Sequence, residues 1–221
     1  MKKIKTVFKI DREAGSMATP IPVEESRWVI EGEGFATVKF DGTSVLIEDG
    51  KMFKRMDRKL QKKYQKNFKN NKNMELTLDM FKEPPEGWQP CEPEPDKKTG
   101  HWPGWTPVNE NDPQNKWHVE AFKSAGNLTD GTYELVGPKV QGNLYDLSSH
   151  KLWRHGDVVV DDMPRTFEGI KRWLENNVCE GVVFHHKDGR MAKIRRKDMF
   201  KLENSNWKEI KNSKNKFKMK S

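Results

Sequence analysis

Apolar and polar positions alternate along two pairs of runs that close on Asp-Gly, the pattern of tight antiparallel hairpins. Phe35 to Glu48 and Met52 to Arg55 flank Asp49-Gly50, while Gly181 to His185 and Arg190 to Ile194 flank Asp188-Gly189. Thr6 to Ile10, Trp117 to Phe122, Thr132 to Val136 and Asp157 to Val160 are further strand candidates, β-branched or aromatic and bounded by Gly, Pro or Asp. One stretch has helical periodicity: Phe167, Ile170, Leu174 and Val178 share a face over Thr166 to Asn177, with Thr166 placed to cap. These elements predict an α+β fold rich in antiparallel sheet, with that helix lying across a sheet.

Composition modifies this picture in a few places. The chain of 221 residues carries +8, with 41 Lys and Arg against 33 Asp and Glu, so its surface attracts polyanions. Residues 51–72 concentrate ten Lys or Arg against one Asp; they line an RNA path or form a solvated basic helix, and both readings stand. The Pro-rich segment 84–113, with Trp88, Trp102 and Trp105, reads as an ordered loop packed by its own aromatics. The expected organisation is one domain over residues 1–200, with a Pro/Trp-rich insertion at 84–116, followed by a Lys-rich tail at 201–221. No apolar run approaches the roughly 20 residues needed to cross a bilayer, and no signal-peptide core opens the chain. Cys91 and Cys179 have no C-x-x-C spacing, so the expectation is a cytoplasmic protein with reduced thiols and no membrane partner.

The candidate chemistry begins at Lys39-Phe40-Asp41-Gly42-Thr43, between one expected strand and the next. A lysine is a nucleophile only when neutral, and a reference pKa of about 10.4 means that the fold must surround it with cations or apolar walls. In order along the chain follow Arg55, Glu134 in Tyr133-Glu134-Leu135-Val136-Gly137, Glu180-Gly181-Val182-Val183, and Lys193-Ile194-Arg195. Lys193 and Arg195, two apart on a strand, share a face and suit a phosphate; a guanidinium at Arg55 or Arg58 offers a planar fork to the same kind of group. Glu134 and Glu180 offer hard oxygens to a metal or acceptors to a ribose. Asp41 either holds its turn or touches substrate. His155, His185 and His186 lack the carboxylate or cysteine partners of a metal set, and stacking or RNA contact is an equal reading.

This ordered set, from Phe35 to Arg196, resembles the covalent nucleotidyltransferase superfamily of ATP-dependent ligases and mRNA-capping enzymes. Within it, Lys-Phe-Asp-Gly-Thr, Arg55-Met-Asp-Arg58-Lys59, the His101 to Val108 run, Glu134-Leu-Val-Gly-Pro-Lys-Val-Gln-Gly-Asn and His155-Gly are similar to the human-type 5′-to-3′ RNA ligases. The resemblance implies an ATP-grasp-like ligase adenylation domain without an OB-fold, since about 25 residues after Arg196 are too few for that barrel. It implies that Lys39 takes AMP from ATP and that Lys193, Arg195 and Glu180 assist. Asp41, Gly42, Arg55, Glu134 and Lys193 would then hold the nucleotide, with Arg55, Arg58 and Lys59 on RNA phosphates. Glu180 is implied as the metal-linked carboxylate, with Glu134 the ribose contact or a second ligand, and the cofactor as Mg²⁺ or Mn²⁺. The implied substrate is RNA with 5′-phosphate and 3′-hydroxyl ends, acted on by a monomer. The expected site of action is the cytoplasm, the host's if the source is viral, the small, compact form suggesting a viral or bacterial enzyme. Thr37 and Val38 stand where many superfamily members place a base-reading glutamate before the lysine, and Arg195 stands where the last motif has lysine. A DNA ligase, a GTP-using capping enzyme and a non-catalytic RNA-binding module remain alternatives.

Overall fold

A computed structural model describes residues 3–13, 15–71 and 73–200; the Lys-rich tail lies outside the described residues. In chain order come β1 (Lys5–Thr6), β2 (Phe8–Asp11), β3 (Met17–Pro22), α1 (Arg27–Ile30), β4 (Phe35–Lys39), β5 (Thr43–Glu48) and β6 (Lys51–Lys59). Then follow α2 (Lys62–Asn70), β7 (Gln89–Pro90), β8 (His101–Pro107), α3 (Lys116–Ala125), β9 (Gly131–Val136) and β10 (Lys151–Arg154). The last are β11 (Val159–Val160), α4 (Phe167–Asn176), β12 (Gly181–His185), β13 (Met191–Arg195) and α5 (Arg196–Met199). The fold is α+β with mostly antiparallel sheets and few helices. No helix of the described residues is long and apolar enough to cross a membrane.

The chain divides into two compact units. One comprises Thr43–Leu135 with His150–Leu152, and the other comprises Lys3–Gly42, Val136–Ser149 and residues 153–200. The division falls directly after Gly42, so the first expected hairpin arm, Phe35 to Glu48, is two strands belonging to different sheets.

The first unit holds a six-stranded sheet in the order β10-β9-β5-β6-β8-β7. Its β5–β6 hairpin turns on Asp49 and Gly50 at φ 50° and 69°, with Glu48 opposite Lys51, the two-residue left-handed turn that twisted strands favour. The Pro-rich segment, expected as a loop, supplies β8, which pairs with β6 from Phe53↔Pro107 to Lys59↔His101. Proline within a run argues against a strand in sequence, and burial of Trp102 and Trp105 overrides that signal. Trp117 to Phe122, expected as a strand for its aromatic and β-branched content, is α3. Asp112 accepts from Gln114 N–H at 2.9 Å, Pro113 opens a 3-10 turn into the helix, and Ala121 is its buried residue, so the start signal outweighs strand propensity. The basic stretch is strand β6 followed by α2, whose lysines are exposed while Phe68 turns inward.

The second unit holds a five-stranded sheet in the order β1-β13-β12-β4-β11, plus the β2–β3 pair. One face of the large sheet is its core: Ala36, Val38, Val182, Phe184, Ala192 and Ile194 are buried together with Ile170 and Leu174 of α4. That is the apolar stripe read from the sequence, laid on a sheet as its period requires. The β12–β13 hairpin uses a longer loop than the Asp-Gly pair alone implies. Gly189 N–H donates to His186 O at 3.0 Å, His186 N–H donates to Arg190 O at 2.9 Å, and Gly189 at φ 89° ends the turn.

Thr166 Oγ1 accepts from Gly169 N–H at 3.1 Å and caps α4. Thr166→Ala is expected to cost about 1 kcal/mol, seen as a lower denaturation midpoint at unchanged slope; Thr166→Ser should restore it.

Candidate active site

Side chains alternate across a strand, so burying Ala36, Val38, Val182, Phe184, Ala192 and Ile194 commits their neighbours to the opposite face. Register then aligns those neighbours in rows. Lys39 lies opposite Gly181 and Gly181 opposite Arg195; Thr37 lies opposite Val183 and Val183 opposite Lys193; Phe35 lies opposite His185 and His185 opposite Met191. Three sequence motifs separated by more than a hundred residues thus form one polar face within one unit.

Lys39 Nζ donates to Glu180 Oε2, an ion pair whose two side chains are 24% and 19% exposed, and lies 3.5 Å from Phe40 O. Glu180 precedes Gly181, where a Cβ would overlap the Ile194 carbonyl oxygen and come within 2.8 Å of Arg195 Cα. Only glycine lets β12 and β13 close at this row. Burial, then the positive charges of Lys39 and Arg195, push the Lys193 amine down to about 8, with Glu180 and Asp198 opposing. Arg195 is gripped by Asp198, Nε to Oδ2 at 2.9 Å and Nη2 to Oδ1 at 2.7 Å; burial opposes its charge, but this bidentate bond holds it above its ordinary value. Val7 N–H donates to Lys193 O at 2.9 Å, so β1 braces the strand bearing both cations.

The bend after Lys39 is held from a distant part of the chain. Tyr145 Oη accepts from Asp41 N–H at 2.7 Å, and Tyr145, Phe40 and Trp153 pack as an aromatic trio with centroids 4.8 to 6.1 Å apart. The segment around Tyr145 is strained, with Gln141, Asn143 and Asp146 at φ 42°, 57° and 55°. Neither Tyr145 nor Asp198 stood out in the sequence. Asp198 follows Arg195 at a spacing that pairs side chains, whereas Tyr145 lies 104 residues from Asp41 and no local pattern links them.

Among the expected site residues, Lys39, Asp41, Gly42, Glu180, Lys193 and Arg195 belong to this unit, and Arg55, Arg58, Lys59 and Glu134 to the other. There, Glu134 is buried on β9 and accepts from Ser44 Oγ at 3.2 Å. Arg55 Nε donates to Asp57 Oδ1 at 2.8 Å, and its guanidinium lies 5.6 Å over the Trp105 ring. By alternation and register Ser44, Glu134, Arg55, Asp57, Lys59 and Trp105 share one face of that sheet. Arg58 takes the opposite face, enclosed by Trp88, Trp102 and Phe81 at 5.2 to 5.7 Å, with Nε on Lys82 O at 3.0 Å. Its charge is spent inside the unit. Among the described residues no three His, Cys, Asp or Glu side chains converge in a way that holds a metal.

A family profile described as RNA ligase 1 matches residues 30–125 and 121–214. The RNA ligase 1 proteins of Pongo abelii and Rattus norvegicus are each 30% identical to the chain, over 213 and 214 aligned positions; the matches cover 72% and 73% of this chain and 65% and 66% of those proteins. That of Danio rerio is 29% identical, covering 73% of this chain and 66% of its own. The chain thus spans slightly less than two thirds of the length of the curated relatives it matches.

The Lys193 amine sits below its ordinary 10.5, so between about pH 8 and 10.5 the unfolded chain binds this proton and the folded chain does not. Stability contributed by this group therefore rises with pH through that window and is flat below it. Comparing denaturation midpoints at pH 7.5 and 9.5, wild type should gain relative to Lys193→Met; equal gains would contradict this placement of Lys193.

Proposed function

The chain belongs to the RNA ligase 1 family, and on that premise we propose that it is an ATP-dependent RNA ligase working through a lysine nucleotide intermediate. The observation that carries this reading is the Lys39–Glu180 pair on a sheet face shared with Lys193 and Arg195. Such a face places one amine nucleophile, one carboxylate and two further cations where a polyphosphate would lie.

In the first step the Lys39 amine attacks the α-phosphorus of ATP. An N–P bond forms, the bond to pyrophosphate breaks, and Glu180 lies within hydrogen-bonding reach of the amine as the acceptor for its proton. Lys193 and Arg195 offset the charge developing on the phosphate oxygens. Tyr145 fixes the Asp41 amide, so the backbone beyond the nucleophile stays in place while its charge changes. AMP then passes to an RNA 5′-phosphate, and attack by a 3′-hydroxyl forms the phosphodiester and releases AMP. Glu134, Arg55 and Lys59, which share one sheet face of the first unit, are the residues we assign to nucleotide and RNA ends. A divalent cation such as Mg²⁺ suits the one hard carboxylate at Glu180, since that ion is commonly held by one or two carboxylates with substrate phosphates, and it would supply charge neutralisation. Free thiols at Cys91 and Cys179 suit a reducing cytoplasm. The exposed lysines of α2, Lys62, Lys63, Lys66 and Lys69, are placed to track an RNA backbone through phosphate contacts, which supply affinity without sequence choice.

With α-labelled ATP and Mg²⁺ but no RNA, wild-type protein should carry label through a denaturing gel, Lys39→Ala should carry none, and Glu180→Gln should label roughly a hundredfold more slowly. Absence of label on protein freed of bound AMP would overturn the reading. A panel of RNA, DNA and diphosphate-ended acceptors then identifies the acceptor, and RNA affinity should fall as salt rises.

A further inference from the structure

Single exposed apolar side chains are ordinary on protein surfaces, but their alignment across strands is not. Phe35, Val159 and Met191 are 48%, 49% and 38% exposed and come from β4, β11 and β13 of one sheet. Register gathers them: Phe35 and Met191 lie on either side of His185 in one row, and Val159 lies opposite Thr37 in the next. By alternation they share the face of Lys39, Lys193 and Arg195.

His185 lies between Phe35 and Met191 in this patch. Its ring stacks on Phe35 at 5.1 Å with 13° between planes, and its Nε2 lies 2.9 Å from Thr37 Oγ1. Burial and the nearby His155 hold its pKa below the ordinary value, so it presents an uncharged ring at neutral pH. The same face is therefore aromatic and apolar at one end and cationic at the other. At about 3.3 Å per residue the Phe35 row lies about 13 Å from the Lys39 row, with the Thr37–Val183–Lys193 row between them.

We propose that the Phe35–His185 stack is a platform for the nucleobase at a single-stranded RNA end, whose phosphates cross Lys193 and Arg195 toward Lys39. The proposal rests on the ligase reading and adds to it where the RNA is held. An aromatic surface beside a run of cations matches the two faces of a single strand, flat bases and charged backbone, and stacking of this kind accepts any base. The separation from Lys39 by an intervening row assigns the platform to the RNA base and leaves that row for the nucleotide.

The test uses the full chain and a short 5′-phosphorylated single-stranded oligoribonucleotide, read by fluorescence anisotropy. Phe35→Ala should weaken binding about fivefold or more, Phe35→Tyr should keep it, and an oligonucleotide lacking its terminal base should bind wild type weakly and Phe35→Ala no worse. Unchanged affinity in Phe35→Ala overturns the proposal. So does loss of ATP labelling with RNA binding intact, which would assign the platform to the adenine. Binding is read without catalysis, so a wild-type protein that took no label would end the ligase reading while this comparison still decided whether RNA stacks here.

Discussion

The antiparallel register of β4, β12 and β13 is the constraint on which the site depends. It sets Lys39, Gly181 and Arg195 in one row and Thr37, Val183 and Lys193 in the next. A slip of one residue would carry these side chains to the face occupied by Ile170 and Leu174 and expose Ala36, Val182 and Ile194 instead. The hydrophobic core therefore enforces the register, and the register assembles the chemistry. Gly181 is the point where both demands meet, because a side chain there would push β12 and β13 apart in the row of the nucleophile candidate.

Charge on this face is balanced locally. Three cations share it with Glu180 at one end and Asp198 at the other, and partial burial makes each pairing count for more than it would in water. Lys193 is buried and also feels the surplus, which is why its proton is held weakly. Two other basic side chains, Arg196 and Arg58, are structural. Arg196 donates to Leu174 O and Asn177 O at the C-terminal end of α4, where a cation meets the helix dipole, and Arg58 is sealed among three rings. Net positive charge alone cannot distinguish these uses.

Much of the local structure was legible because it is carried by near neighbours. The helical stripe of α4 and its Thr166 cap, the Asp49-Gly50 turn and the short strands β9 and β11 all depend on residues within a turn or two of each other. Where distant packing overrode local preference, reading failed. The strand-forming residues of Trp117 to Phe122 became α3 behind the Asp112–Pro113 start, and a proline-bearing segment became β8 because Trp102 and Trp105 find cover on β6 and its neighbours. Of the candidate site, the motif residues were visible by type and order, while Tyr145 was not, since its bond to Asp41 joins segments 104 residues apart.

The sequence by itself determined the α4 stripe and its cap, the Asp49-Gly50 turn, the order of the charged motifs and the face that β12 and β13 offer, because side-chain period and turn chemistry are local properties. Tertiary structure decided that β4 and β5 part company after Gly42 into separate sheets, that Glu180 reaches Lys39, and that Arg55 and Arg58, three residues apart, take opposite faces. Those outcomes depend on which strands pair and in what register. That choice is made by burying apolar faces drawn from the whole chain, and no short stretch of sequence contains it.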